Sequence, residues 1–223
     1  MAELHVLRVF CDAEWSHGNP LGVFLDGGEV PDERRQEVAA ELGFSETVFV
    51  DDATEGRMRI FTPGLELGFA GHPSVGTAWL LAKEREVVPV LRPPAGEVEV
   101  RTEGGLTFVA ARPEWSPAWE LIELSDALAV EEATGPPGDE REAYLWAWID
   151  EAEGTVRSRC FSLDDIGEDE ATGSAAIVLA AALARDIEIR QGRGSRLDAR
   201  FLGEGRAEVG GRVVLDEVRD FSV

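Results

Sequence analysis

Two stretches of this chain read as copies of one unit, and a duplicated unit restricts a chain to folds that repeat. The first copy runs from a strand around Met58 and Arg59 through Phe61-Thr62-Pro63 and a glycine-rich loop. It reaches Gly76-Thr77-Ala78, which opens the apolar run Trp79-Leu80-Leu81-Ala82. The second holds Arg159, Phe161-Ser162-Leu163, an acidic loop, and Gly173-Ser174-Ala175 opening Ile177-Val178-Leu179-Ala180. Each reads as a strand, a polar turn and a buried helix. Each helix then leads to a strand, Val98-Glu99-Val100-Arg101 or Ile187-Glu188-Ile189-Arg190, followed by a glycine turn and a further strand. The copies lie about a hundred residues apart, which predicts two similar domains related by a pseudo-twofold axis. The first takes roughly residues 1–111 and the second roughly 112–208, with 209–223 returning to the first through a last strand, Val213 to Val218.

Two repeat helices, at Thr77 and at Ser174, can aim their N-termini into one cleft. Free N–H groups and the helix dipole make such an end attractive to anions, so a pair of them suits a small carboxylate. The formal charge of −23 argues against nucleic acid and anionic membranes as partners, while leaving a small anion open. No apolar run has the length of a membrane span and no signal-peptide pattern opens the chain, so a cytoplasmic location is expected. Cys11 and Cys160 make no disulfide framework, and the dispersed His5, His17 and His72 lack zinc-ligand spacing, so no metal is expected.

Between these landmarks, Leu4–Phe10, Leu21–Leu25, Ser45–Val50 and Met58–Phe61 read as strands. Pro31-Asp32 starts a helix through Leu42, with Gly43 as its stop. The first repeat helix is expected over Thr77–Lys83. Val87–Leu91, Glu97–Arg101 and Leu106–Ala111 follow as strands, the last two joined at Glu103-Gly104-Gly105. Residues 112–138 read as an irregular crossing. Tyr144–Ile149 and Val156–Phe161 are strands, and Ser174–Ala184 is a helix with Ser174 as its N-cap. Asp186–Gln191 and Arg196–Leu202 are strands as well.

Five separated motifs carry a further signal: Gly18-Asn19-Pro20, Ser45-Glu46-Thr47, Phe61-Thr62-Pro63, Gly71-His72-Pro73 and the run from Glu168 to Ala175. In order and spacing they resemble the PhzF-like proteins, the phenazine-biosynthesis isomerase family, which shares the fold of diaminopimelate epimerase. The resemblance covers nearly the whole chain. It implies an α+β fold in which each domain is a mixed sheet curled around a central helix, and cofactor-free proton transfer at carbon in a homodimer. By position it implies that Glu46, His72 and Asp169 are catalytic. It also implies that Asn19, Gly71, Pro73, Ser74, Gly173 and Ser174 bind substrate. Gly71 and Gly173 stand where related epimerases place catalytic cysteines, which argues against a two-thiol mechanism here. Glu170 stands where the family has proline, beside the expected substrate loop.

The chemistry is plausible on physical grounds alone. Moving a proton off carbon needs a base and a means of holding the developing charge. Glu46, flanked by Phe44 and Val48, faces an apolar setting that raises a carboxyl's pKa. Against this stand ordinary readings. Glu46 can be a solvated or capping residue, His72 a turn residue, and Asp169 part of a solvated acidic run. Trp115, Trp119, Trp146 and Trp148 read as core or subunit interface, with Trp146-Ala147-Trp148 offering an apolar surface for dimerisation. The leading function is an isomerase acting on a small carboxylic or amino-acid-like substrate. The alternatives are an inactive anion-binding protein of the same fold, or a serine hydrolase using Ser174 with His72, although Gly173-Ser174-Ala175 lacks a nucleophile elbow.

Overall fold

The computed structural model describes residues 1–136, 142–162 and 167–222. Among the described residues, fifteen strands join into one winding sheet around two buried helices. The first half holds β1 (Ala2–Cys11), β2 (Asn19–Phe24), helix α1 (Asp32–Leu42), β3 (Glu46–Asp52), β4 (Arg57–Phe61) and β5 (Glu66–Leu67). It continues with helix α2 (Gly71–Glu84), β6 (Val90–Leu91), β7 (Val98–Glu103) and β8 (Leu106–Ala111). The second half holds β9 (Glu120–Glu123), helix α3 (Ala127–Glu132), β10 (Glu142–Asp150), β11 (Thr155–Ser162) and β12 (Gly167–Asp169). Helix α4 (Gly173–Leu183), β13 (Ile187–Gln191), β14 (Ser195–Gly203) and β15 (Arg206–Phe221) complete it.

The strands run β5-β4-β3-β2-β1-β15-β14-β13-β11-β10-β9, with β8 also on β15, β7 on β8 and β6 on β7. One long strand therefore serves both halves. Residues 212–221 of β15 pair with β1, while residues 206–211 pair with β14 and β8. In the first half the strands close on themselves. Met58 N–H donates to the Arg92 carbonyl (3.3 Å) and Arg92 N–H to the Gly56 carbonyl (2.7 Å), which leaves fewer open edges.

Helix α2 fills this enclosure, against β1, β2, β3, β8 and β15. It is buried from Gly71 through Ala78 and again at Leu80 and Leu81, because neither of its sides faces water. Helix α4 occupies the corresponding place against β14 and β15. Its small residues Ala175, Ala176 and Ala180 let the sheet approach closely, and both helices share one continuous core. Helix α1 instead covers the outer face, where Val38 and Ala39 meet Phe24, Phe49 and Phe61. It ends at Gly43 in the left-handed conformation (φ 65°), as the sequence indicates. Among the described residues, no helix is long and apolar enough to cross a membrane.

Several elements differ from the sequence reading. Helix α2 begins at Gly71 rather than Thr77, so Thr77 is a buried mid-helix residue and His72 lies in the first turn. The unit that faces Gly173 is thus Gly71, not Gly76. Residues 112–138 are not uniformly irregular, since β9 and α3 form within them, α3 being capped where the Asp126 side chain accepts from Ala129 N–H. Residues 137 and 138 of that stretch, Leu163, and Asp164–Ile166 of the acidic run lie outside the described residues. Only Val90–Leu91 of the expected 87–91 strand forms, and Val87 is exposed. Ser174 is not the N-cap, because α4 starts at Gly173 and Thr172 occupies the N-cap position without a side-chain bond back to the helix. Trp146-Ala147-Trp148 offers less exposed apolar surface than the sequence suggests. Trp146 and Ala147 are buried, and Trp148 packs edge-on against Trp146 under the Arg185 guanidinium.

The acidic excess has a thermodynamic consequence. With 44 Asp and Glu against 21 Lys and Arg, carboxylates outnumber cations by more than two to one. Their mutual repulsion opposes compaction, and salt shortens its range from about 10 Å at 0.1 M to about 3 Å at 1 M. Exposed ion pairs lose strength too, but each is worth only about 0–1 kcal/mol. The thermal midpoint should therefore rise with KCl. A midpoint that stays flat or falls between dilute and molar KCl would show that the paired charges dominate.

Candidate active site

The two buried helices meet end to end, and the candidate residues gather around that junction. A Cβ built on Gly71 would sit 2.6 Å from the Gly173 carbonyl carbon and 2.9 Å from the Ser174 nitrogen. One built on Gly173 would lie 3.0 Å from Gly71 Cα and from His72 N. Only glycine allows this approach, and it leaves no space for a cysteine at either position. Both helix starts lack side-chain caps, since neither Ala70 nor Thr172 hydrogen-bonds back to its helix. The first N–H groups of each helix have no intrahelical acceptor, so the junction presents two sets of donors and two positive dipole ends. In α2 the donors narrow to Gly71 and His72, because Pro73 has no N–H and Ser74 N–H donates to Ala70 O (3.2 Å). The Ser74 hydroxyl donates to the same carbonyl (2.7 Å).

Glu46 enters from the start of β3, where the parallel register with β2 sets it opposite Leu21. Its Oε2 lies 3.3 Å from His72 Nε2, with the histidine side chain 3% and the glutamate side chain 15% exposed. The two atoms are close but not aligned as a hydrogen bond, and neither has another partner. Burial lifts the Glu46 carboxyl above the usual carboxylate range. His72 pulls it partly back and Asp169 adds to the rise. Two unpartnered buried polar atoms facing one another are costly unless a ligand uses them.

Asn19, the first residue of β2, ties the two halves together. Its Nδ2 donates to Asp169 Oδ1 (2.6 Å) and to the Ala171 carbonyl (3.1 Å), and stands 3.5 Å from His72 Nδ1. Its Oδ1 accepts from the Ser45 hydroxyl (3.2 Å). Asp169 Oδ2 accepts from Thr172 Oγ1 (2.6 Å), and that hydroxyl accepts from Gln191 Nε2 (2.8 Å). Gln191 Nε2 also donates to the Asp169 carbonyl (3.0 Å), and its Oε1 accepts from Tyr144 and from Thr172 N–H (3.1 Å each). Asp169 is thus held from behind by a buried polar network and in front by Asn19. Ser174 Oγ accepts from the Trp119 indole N–H (3.1 Å), which leaves its own proton for donation.

All nine residues singled out from the sequence lie at or beside this junction. Gln191 and Ser45 escaped the sequence reading as site residues. The only sign of Gln191 is an uncharged polar residue ending an alternating strand whose inward face is apolar. The serine hydrolase reading finds no support, because the two His72 ring nitrogens face Glu46 and Asn19 and the Ser174 hydroxyl faces Trp119. Neither thiol is a candidate base. Burial pushes Cys11 up to about 11 and Cys160 well above its ordinary value. A groove of about 320 Å³ between Trp79, Lys83, Val88 and Thr102 contains neither a carboxylate nor a histidine, and does not compete with the junction as a site for proton transfer.

Comparison with known proteins bears on the family and the fold. A family model described as phenazine biosynthesis-like protein matches residues 7–127. The trans-2,3-dihydro-3-hydroxyanthranilate isomerase of Pseudomonas aeruginosa is 34% identical over 84% of this chain and 86% of its own length. A Bacillus anthracis phenazine biosynthesis protein of the PhzF family superposes with a TM-score of 0.82 at 20% identity, covering 100% of this chain and 99% of that one. A hydroxyproline epimerase from Agrobacterium vitis shares the fold at a TM-score of 0.64 and 11% identity, over 98% of this chain and 91% of that one. The α+β architecture of two similar domains is therefore that of the PhzF proteins and of amino-acid epimerases, and the chain belongs to the phenazine biosynthesis-like family as an isomerase.

Proposed function

We propose that this isomerase shifts a proton between carbons of a small carboxylic acid, without a cofactor, using Glu46 as the shuttle. The observation that carries the reading is the buried Glu46 carboxyl, raised in pKa, with its Oε2 and His72 Nε2 facing each other unpartnered beside two uncapped helix ends. The substrate carboxylate would sit on the N–H groups of Gly71, His72, Gly173 and Ser174, with the Ser174 hydroxyl as a further donor. Glu46 then takes a proton from carbon. An O–H bond forms, and the C–H electron pair moves into the adjoining π system. Return of the proton to a second carbon breaks the O–H bond and forms a new C–H bond, so atoms and charge balance. Asn19, His72 and Asp169 orient the substrate and hold the charge that develops.

The relative from Pseudomonas aeruginosa is named as an isomerase of trans-2,3-dihydro-3-hydroxyanthranilate, a cyclic amino acid bearing a carboxylate, which makes this the first compound to test. In D₂O the protein should exchange the carbon-bound proton of this compound or of a related cyclic carboxylate. A protein that binds such compounds without exchange would be an anion-binding relative instead. We further place the domain division at residues 1–111 with 209–223 against 112–208. We also expect a homodimer formed by a surface other than Trp146-Ala147-Trp148, to be checked by light scattering.

A further inference from the structure

We propose that Glu170 is a positioning residue, latching the two halves together across the site through Ser195 and Gly18. The Glu170 carboxylate turns away from Asp169, and its side chain is only 13% exposed. It accepts the Arg193 N–H (3.1 Å), the Arg193 Nε–H (3.0 Å) and the Ser195 hydroxyl (2.9 Å). Ser195 is fully buried, and its Oγ also accepts the Gly18 N–H (3.0 Å). A serine hydroxyl has one proton and must give it to the carboxylate, so the direction of the chain is fixed: Gly18 donates to Ser195, and Ser195 donates to Glu170.

The next residue after Gly18 is Asn19, whose amide bonds to Asp169, and Asp169 precedes Glu170. Asp169, Glu170, Ser195, Gly18 and Asn19 therefore close a ring of covalent and hydrogen bonds that passes through both halves. Packing tightens it. A Cβ on Gly192 would lie 2.6 Å from the Glu170 carbonyl oxygen, and one on Gly194 would lie 2.6 Å from the His17 ring. The turn of residues 192–195 is thus wedged between the loop carrying Asn19 and the loop carrying Asp169. A proline at position 170 supplies no acceptor for Ser195. In this chain the carboxylate fixes the Asn19 amide, and with it the relative placement of Asp169 and His72.

The test combines two readouts. Hydrogen exchange at the Gly18 amide and the NMR signals of the Asn19 side-chain amide report the latch without any substrate. The rate of proton exchange in trans-2,3-dihydro-3-hydroxyanthranilate reports its effect on turnover, and this arm rests on the function proposed above. Glu170→Ala and Ser195→Ala should each speed Gly18 exchange by about tenfold or more, shift the Asn19 signals, and lower kcat by about tenfold with little change in KM. The double variant should be no worse than the poorer single one, because both break the same chain. Glu170→Gln keeps an acceptor oxygen and should restore both readouts to within about threefold. Unchanged Gly18 exchange and Asn19 signals in Glu170→Ala overturn the latch. Faster exchange with wild-type kcat, or additive effects in the double variant, overturn its positioning role. A wild-type protein that does not act on the compound refutes that substrate alone, and the latch is then decided by the two NMR readouts.

Discussion

A Glu46→Gln variant is expected to lose at least about a hundredfold in turnover and yet to melt at a higher temperature than the wild type at neutral pH. The first effect follows from removing the base while keeping the shape, so that substrate binding stays close to wild type. The second follows from linkage. Burial raises the Glu46 pKa in the folded protein, whereas the unfolded chain titrates near the usual value of about 4.3. Between those values the folded state holds more protons than the unfolded state, so stability falls as pH rises through that window. Glutamine has no charge to bury and escapes this loss. The two proteins should melt alike at about pH 3, well below the unfolded value, where both states carry the protonated acid, and diverge as pH rises. Melting curves across pH, read with deuterium exchange into substrate, check both parts. A variant less stable than wild type at neutral pH would mean that the attraction between Glu46 and His72 outweighs burial.

The second large effect is expected at the helix junction. Gly71→Ala places a Cβ, fixed to its own backbone, 2.6 Å from the Gly173 carbonyl carbon, and both backbones are buried. No side chain can swing away to relieve it, so the helix ends must part. Overpacking of this kind costs about 1–3 kcal/mol, or roughly 2–4 °C in melting temperature per kcal/mol for a chain of this size. The greater loss should be in rate, about a hundredfold, because the anion donors of α2 and α4 move apart and a misplacement near 1 Å is enough. Gly173→Ala meets its neighbours at 3.0 Å and should be milder, while Gly28→Ala, with nothing within 4 Å, should be neutral. Calorimetry and single-turnover rates on the three variants test the ranking. Gly71→Ala behaving like Gly28→Ala would mean that the junction is loose.

Much of this was legible in the residues, for identifiable reasons. Gly43 stops α1 and Gly104-Gly105 turn β7 into β8 because these conformations are local and need few residues to specify. The Ser45-Glu46-Thr47 and Gly71-His72-Pro73 motifs pointed to side chains that do converge. The start of α2 was hidden because Gly71, Pro73, Ser74 and Gly76 are weak helix formers, and the helix there depends on burial within the sheet. That hidden turn shifted the apparent repeat, aligning Gly76 with Gly173 when Gly71 is the residue that meets it. The short β9 and α3 were masked by the prolines and tryptophans around them. The links from Asn19 to Asp169 and from Glu170 to Ser195 join residues far apart in the chain, and no spacing rule reaches across such a distance.

The sharing of β15 bears on how such a molecule can come apart. One end of this strand borders the sheet around α4 and the other runs along β1. Neither half can therefore be excised with its sheet intact, because cutting at the boundary strips an edge from both. Each half thus completes its sheet only in the presence of the other, and heat should find a single cooperative transition rather than two.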